Sequence, residues 1–383
     1  MASGKWLLLL AIIYTASAVD ECGLCVKMAQ YVVSLEGQTY ANAKAKAEAS
    51  LKNFNAADKD FLSTLIKLGF RKLYMDANHK ATGMNTGTTC ADLGYCDSKG
   101  GFKPTGFSIV DSENSFWNSH SQINNVRDKT IIVVHHTVDA TLKDSLAAME
   151  KSGLSVQYIV DRDGKIYRLV DDFHRAWHAG AGVWRGDGCA VDDTNSRSVG
   201  IETVNTGGEP FPAVQVKALH ELIGYLRTKW HVAPQNIIAH HENSPWQKYD
   251  ISGYFSWKSL YDEFGEVKAL WTTKLSPAEQ KEVVVSGKKP NAAVLKEVQQ
   301  KLYDIGHGWV HVGDGYETST TKVTTAMAIQ SFNRKWCPEI FIKESVKNGE
   351  EVLHWENTQT YKLTIERLNW LHTNLKIPGC TNY

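Results

Sequence analysis

Two short apolar runs in the chain end in the same way. "IIVVHHT" occupies residues 131–137 and "NIIAHH" residues 236–241, and both read as strands that close on a pair of histidines. On a strand successive side chains point to opposite faces, so Val133, His135 and Thr137 share one face while Val134 and His136 share the other. Only one histidine of the first pair can therefore readily enter a common site. The surrounding sequence alternates element types. A helical stretch follows the first run, then a strand pair around the turn "DRDG" in "QYIVDRDGKIYRLV", then a further run "SVGIETV". An amphipathic helix comes next, with Val216, Leu219, Leu222, Ile223 and Leu226 on one face. Strands mixed with covering helices imply an α/β domain, a mixed sheet covered by helices, over residues 105–268.

The second run leads through "SPW" to Lys248 and Asp250. A strand that delivers a histidine, followed by a loop that returns a carboxylate, can place two ligands on one ion. Zinc accepts imidazole nitrogens and a carboxylate oxygen, and a catalytic zinc site leaves its fourth position to water. His135, His240 and Asp250 would be its three protein ligands. By themselves these residues leave two readings open, a metal site or three unrelated polar side chains. A water on such an ion becomes acidic near neutral pH, and the ion polarises a carbonyl. Hydrolysis also needs a proton shuttle, and Glu202 ends an apolar run where a carboxylate is costly to bury without a function or a partner. A solvent-facing carboxylate is an equal reading of that position. Lys248 could steady a developing oxyanion, or simply be a solvated loop lysine.

The 383 residues are 43% hydrophobic and 22% charged, enough for a substantial core in two or three domains. A formal net charge of zero argues against a nucleic-acid binder, which needs a basic excess to displace counterions. The first eighteen residues, "MASGKWLLLLAIIYTASA", have the lysine, apolar run and small-residue site of a secretory signal peptide, with the mature chain starting near Val19. The run is too short to span a bilayer. The expected location is secreted, or the lumen of a lysosome or phagosome.

That route is oxidising, so the seven cysteines are read first as disulfide partners. Cys22, Cys25, Cys90 and Cys96 cluster early, Cys337 and Cys380 lie late and could tie the tail back, and Cys189 stands between. A zinc-thiolate site is the alternative for the first four, with disulfides favoured on spacing. Residues 19–98 read as a stapled helical bundle in which Leu62, Leu65, Ile66 and Leu73 share a face. The breaker-rich "SKGGFKP" marks a linker. Residues 280–383 read as a small helical domain, with Leu295, Val298, Leu302 and Ile305 on one helix and Ala326, Ile329 and Phe332 on another.

Three resemblances add to this reading. "CGLC" and "CADLGYC" match the first and last cysteine pairs of saposin-like domains, which implies nested bonds Cys22–Cys96 and Cys25–Cys90 and a lipid or membrane surface as a partner. The middle disulfide of that family is absent. "IIVVHHT", "SVQYIVDRDGKIYRLVDDFHRAWHAG", "NSRSVGIE" and "IIAHHENSPWQKYD" resemble the type-2 N-acetylmuramoyl-L-alanine amidases, relatives of phage amidase lysozymes and animal peptidoglycan recognition proteins, over residues 125–262. This resemblance implies Zn2+ on His135, His240 and Asp250, catalysis by Glu202 and Lys248, and Trp177 and His178 in a substrate groove facing bacterial peptidoglycan. Val156 stands where many relatives have a catalytic tyrosine, so proton transfer falls to Glu202, and Ile251 and Ser252 replace the usual proline and glycine after the aspartate. His136 and His241 are left beside the ligands or at the surface. "VLKEVQQKLYDIGH" and "TTAMAIQSFN" resemble the two helical signatures of peptidoglycan-binding domains. The expected function is zinc-dependent cleavage of the amide between the lactyl group of N-acetylmuramic acid and L-alanine, antibacterial or digestive in purpose. A non-catalytic peptidoglycan recognition protein is the competing expectation, and it is disfavoured because all three ligand positions are filled.

Overall fold

The computed structural model describes residues 21–35, 39–66 without 57 and 64, residues 73, 90, 109–111 and 116–117, and 129–375 without 173, 187–192, 266, 344, 348–349 and 353. The chain divides into two compact units, Met1–Phe102 and Lys103–Tyr383. The leader at 1–18 and Cys96, Cys189 and Cys380 lie outside the described residues, as does the side chain of Cys22.

In the first unit, helix α1 (Glu21–Val33) buries Leu24, Met28, Ala29 and Val32, and helix α2 (Tyr40–Ser50) buries Ala43 and Ala47. Two small side chains one helical turn apart let a neighbouring element approach closely. Leu62, Leu65, Ile66 and Leu73 are all buried, and Cys25 is bonded to Cys90.

The second unit is built on a six-stranded sheet of order β1-β4-β3-β5-β2-β6. Its strands are β1 (Ile109–Asp111), β2 (Ile131–Val134), β3 (Tyr158–Val160), β4 (Ile166–Arg168), β5 (Ser198–Thr203) and β6 (Ile237–Ala239). Only β3 and β4 pair antiparallel, as the hairpin expected around "DRDG"; β5, β2 and β6 run parallel. Gly164 closes that hairpin at φ +84°, a conformation open to glycine, and donates its N–H to Asp161 O.

Alternation along the central strand sorts its side chains into two cores. Ile132 and Val134 face a large cluster with Leu219, Leu222, Ile223 and Leu226 of helix α5 (Ala213–Trp230), whereas Ile131 and Val133 pack with Trp184 and Ile238 on the other face. Helix α3 (Leu142–Ser152) starts where Thr141 Oγ1 accepts from Asp144 N–H and stops at Gly153 in the left-handed region. Helix α4 (Thr194–Arg197) leads directly into β5, and helix α6 (His240–Asn243) begins where β6 ends. The second histidine pair thus sits on a helical turn rather than on the strand. Helix α7 (Trp257–Glu263) and the short α8 (Pro277–Gln280) follow.

The C-terminal segment carries α9 (Ala292–Asp304), α10 (Thr325–Trp336) and α11 (Lys362–Leu375), with β7 (Val283–Val285) paired to β10 (Thr360–Tyr361) and a small hairpin of β8 (Val346–Lys347) and β9 (Glu350–Glu351). It has a small cluster of Val285, Tyr316 and Ala326, but most of its apolar side chains join the interior of the sheet. Trp336 stacks on Tyr261 at 5.3 Å and on Trp271 at 5.9 Å, and Leu302, Ile329 and Phe332 belong to the same cluster as Leu222 and Ile237. The segments expected separately at 105–268 and 280–383 therefore share one hydrophobic interior, sealed by large aromatic faces. The expected Cys337–Cys380 bond involves Cys380, which lies outside the described residues. Cys337 is a free thiol, buried at the end of α10, and burial pushes it up to about 12.

Candidate metal centre and active site

Strand register creates the site. Val134 lies opposite Ile201 on one side and Ala239 on the other, so the next residues, His135, Glu202 and His240, form a row across the carboxyl ends of three parallel strands. His135 extends the ladder, donating its N–H to Ile201 O and accepting from Thr203 N–H. Carboxyl ends of parallel strands are where open α/β sheets collect ligands, because loops leave the sheet there together.

Asp250 closes the row into a cluster. Its carbonyl accepts from His241 N–H at 2.8 Å, which brings the loop 244–250 back to the α6 turn. His135 Nδ1 lies 2.9 Å from His240 Nδ1, and Asp250 Oδ2 lies 3.0 Å from each of them. All three residues are buried. Two imidazole nitrogens and one carboxylate oxygen at the corners of a triangle with 3 Å sides suit a tetrahedral zinc, whose ligand atoms stand about 3.3 Å apart when its bonds are about 2.0–2.1 Å. Burial and the neighbouring His240 hold the His135 imidazole down to about 4, against the pull of Asp250. Burial would raise the Asp250 carboxyl, but His240 and His135 outweigh it and keep it well below the usual carboxylate range. The set therefore offers a neutral His135 imidazole and an ionised carboxylate, the electron-pair donors a cation requires. His135, His240 and Asp250 could hold a metal ion.

The far side of His135 is held too. Its Nε2 lies 3.0 Å from His178 Nδ1, His178 Nε2 lies 3.2 Å from Ser198 Oγ, and Ser198 Oγ–H donates to Thr194 O at 2.7 Å. A metal on His135 Nδ1 fixes every proton along this chain, since Nε2–H of His135 then donates to His178 and Nε2–H of His178 to Ser198. The structure places His178, expected in the groove, against His135. It is buried beneath His135, with its backbone N–H and that of Ala179 both donated to Asn195 Oδ1. Gly200 leaves room for the ring, because a Cβ there would meet His178 Cγ at 2.6 Å. His240 has no comparable support, and its Nε2 is buried without a hydrogen-bond partner among the described residues.

Glu202 is partly exposed as a residue while its Oε2 is sealed and has no hydrogen-bond partner among the described residues. Burial pushes its carboxyl up to about 8, Asp250 adds to the rise, and Lys248 opposes it. Lys248 is exposed on the loop between His240 and Asp250, near enough for its charge to act on Glu202 and His135. Trp177 is half-buried, with the Arg175 guanidinium 3.6 Å over its ring. His136 accepts from Ser252 N–H, and His241 bonds Ser331 Oγ at 2.7 Å; both are buried, not at the surface. Val156 is buried in the smaller core below β3. Asn195, Ser198 and Gly200 were present in "NSRSVGIE" but only Glu202 carried an evident chemical signal; their importance comes from where His178 lands.

Comparison with known proteins bears on this geometry. Residues 125–252 match the family model described as N-acetylmuramoyl-L-alanine amidase. The segment contains all three residues of the metal-competent group, together with Glu202 and Lys248. Among curated proteins, N-acetylmuramoyl-L-alanine amidase AmiD of Escherichia coli is 32% identical over 146 residues, 34% of this chain and 51% of that protein. The 1,6-anhydro-N-acetylmuramyl-L-alanine amidase AmpD of Haemophilus influenzae is 27% identical over 122 residues, 32% of this chain and 64% of that protein. The chain thus spans about half of the first relative and under two thirds of the second. A solved complex of the E. coli AmiD with anhydro-N-acetylmuramic acid-L-Ala-D-gamma-Glu-L-Lys covers 66% of this chain and 91% of that one, at 23% identity and a TM-score of 0.46.

Proposed function

We propose that the protein is a zinc-dependent N-acetylmuramoyl-L-alanine amidase that hydrolyses the lactyl–L-alanine amide of bacterial peptidoglycan. The observation that carries this reading is the buried triangle of His135, His240 and Asp250, lying inside a segment that matches the amidase family. Zinc bound there would acidify a water and polarise the amide carbonyl. Glu202 takes the proton from the attacking water and returns it to the departing L-alanine nitrogen; its raised affinity for a proton and its unpaired Oε2 suit both transfers. Lys248 adds positive charge beside the developing oxyanion. His178 keeps His135 in the tautomer that leaves Nδ1 free for the ion. Trp177 offers a rigid aromatic face to sugar or stem peptide.

The leader-like residues 1–18 and the Cys25–Cys90 bond support an oxidising destination, either outside the cell or in a lysosome-like lumen. Residues 19–98 act as a saposin-like module, and residues 280–383 as the wall-directed part. Purified protein should be incubated with peptidoglycan with and without chelator, and the new ends identified by mass spectrometry. Stem peptides beginning at L-alanine, lost on chelation and in Glu202→Ala, are the expected products. Chelator-resistant cleavage or new glycan reducing ends would overturn the reading.

A further inference from the structure

The helix that resembles a wall-binding signature is tied to the back of the metal centre. Lys335 of α10 is fully buried, and its Nζ lies 2.8 Å from Glu242 Oε2 and donates to Ile237 O at 2.8 Å. Glu242 is fully buried as well, and its Oε2 also accepts the N–H of Ala239 at 2.8 Å. One turn earlier on α10, Ser331 Oγ donates to His241 O at 3.0 Å and lies 2.7 Å from His241 Nδ1. Ser331 and Lys335 are therefore two rungs, at i and i+4 on one face of α10. Between them they grip Ile237, His241 and Glu242, the residues on either side of His240.

His240 needs such a grip. A ligating histidine ordinarily has its second ring nitrogen fixed by a hydrogen bond, as His135 does through His178. Among the described residues His240 Nε2 has no such partner, so the aim of its Nδ1 depends on the turn that carries it. A buried ion pair is weak evidence for stability, because desolvation offsets the attraction; it is better suited to fixing one arrangement. We infer that Ser331 and Lys335 of the C-terminal segment are positioning residues for the metal ligand His240, which makes that segment an integral part of the metal centre. The inference rests on the zinc reading above.

The test uses the full chain, stripped of metal and titrated with zinc in competition with a chromophoric chelator. The main variant is the double substitution Lys335→Met with Glu242→Gln, which removes both buried charges while the glutamine keeps an acceptor for Ala239 N–H. Ser331→Ala is the milder probe of the other rung. A control double, Arg367→Met with Glu339→Gln, breaks the ion pair between α11 and the turn after α10, which lies outside this grip. Melting temperatures from circular dichroism are measured for all. The Lys335→Met/Glu242→Gln and Ser331→Ala variants are expected to bind zinc roughly 10- to 100-fold more weakly than the parent, with the larger loss in the double, while the control loses thermal stability without losing zinc affinity. Parent-like zinc affinity in both Lys335→Met/Glu242→Gln and Ser331→Ala, or an equal loss in the control, would overturn the inference. A parent chain that binds no zinc would instead sink the zinc reading on which it stands.

Discussion

Gly200→Ala is the sharpest probe of the support beneath His135. The added Cβ would stand 2.6 Å from His178 Cγ and 2.7 Å from Cδ2 and Nδ1. Unbonded carbons settle near 3.5–4.0 Å, so the ring must retreat by about 1 Å. It is anchored by two backbone N–H bonds to Asn195 and by ring bonds of 3.0 Å to His135 and 3.2 Å to Ser198, and a shift of that size takes at least one ring bond beyond hydrogen-bonding range. Overpacking costs about 1–3 kcal/mol. Each lost bond adds about 0.5–1.5 kcal/mol, so losing both ring bonds brings the total to about 2–6 kcal/mol. In a domain of this size that lowers the melting temperature by roughly 5–15 °C. Zinc affinity should fall about 10- to 100-fold, as when the outer partner of a ligating histidine is lost. Adding His178→Ala to Gly200→Ala removes the clash but not the missing support, so stability should recover in part and zinc affinity should not. Circular dichroism melts and chelator competition give both quantities. A Gly200→Ala protein with the parent's melting temperature and zinc affinity would refute the account of His178.

Other expectations concern the groups around the row. Glu202→Gln should lower kcat by about 10²–10⁴ with little change in zinc affinity, measured on muropeptide release. Lys248→Ala should cost about 10²–10³ in kcat if its charge faces the oxyanion. In metal-free protein Glu202 holds its proton up to about pH 8 in the folded state, against an ordinary value of 4.5. The folded state thus binds the extra proton, and this contribution to stability is full below about pH 4.5 and is lost as pH rises through about 8. Melts of stripped parent and Glu202→Gln across that window should show the parent's relative stability falling and the variant lacking that fall. Cys25→Ser should destabilise the first unit by about 4 kcal/mol on the chain-entropy relation for a separation of 65 residues, read as an earlier denaturant transition of the full chain.

Much of the site was legible because its signals are local. Apolar runs ending in histidines marked where strands stop, and alternation separated His135 from His136, which the structure turns toward Ser252. "DRDG" announced its hairpin because an aspartate and a left-handed glycine define such a turn. The buried positions of α5, α9 and α10 followed from helical periodicity, which reports one face of one element. Periodicity is silent about which element covers that face. For that reason the C-terminal helices read as a separate domain, while Trp336 stacks on Tyr261 and Trp271 within a shared core.

What the sequence determined by itself was the chemistry available: two histidines, two carboxylates and a lysine at the ends of strands and in the loop that follows. Tertiary structure decided how they meet. The parallel register of β5, β2 and β6 set His135 between Glu202 and His240, a relation between residues far apart in the chain that no local pattern encodes. It also set His178 beneath His135, because Gly200 on the neighbouring strand has no side chain to exclude the ring. It set Lys335 against Glu242 behind the same row, where only the packing of α10 on α6 could bring opposite charges together out of water.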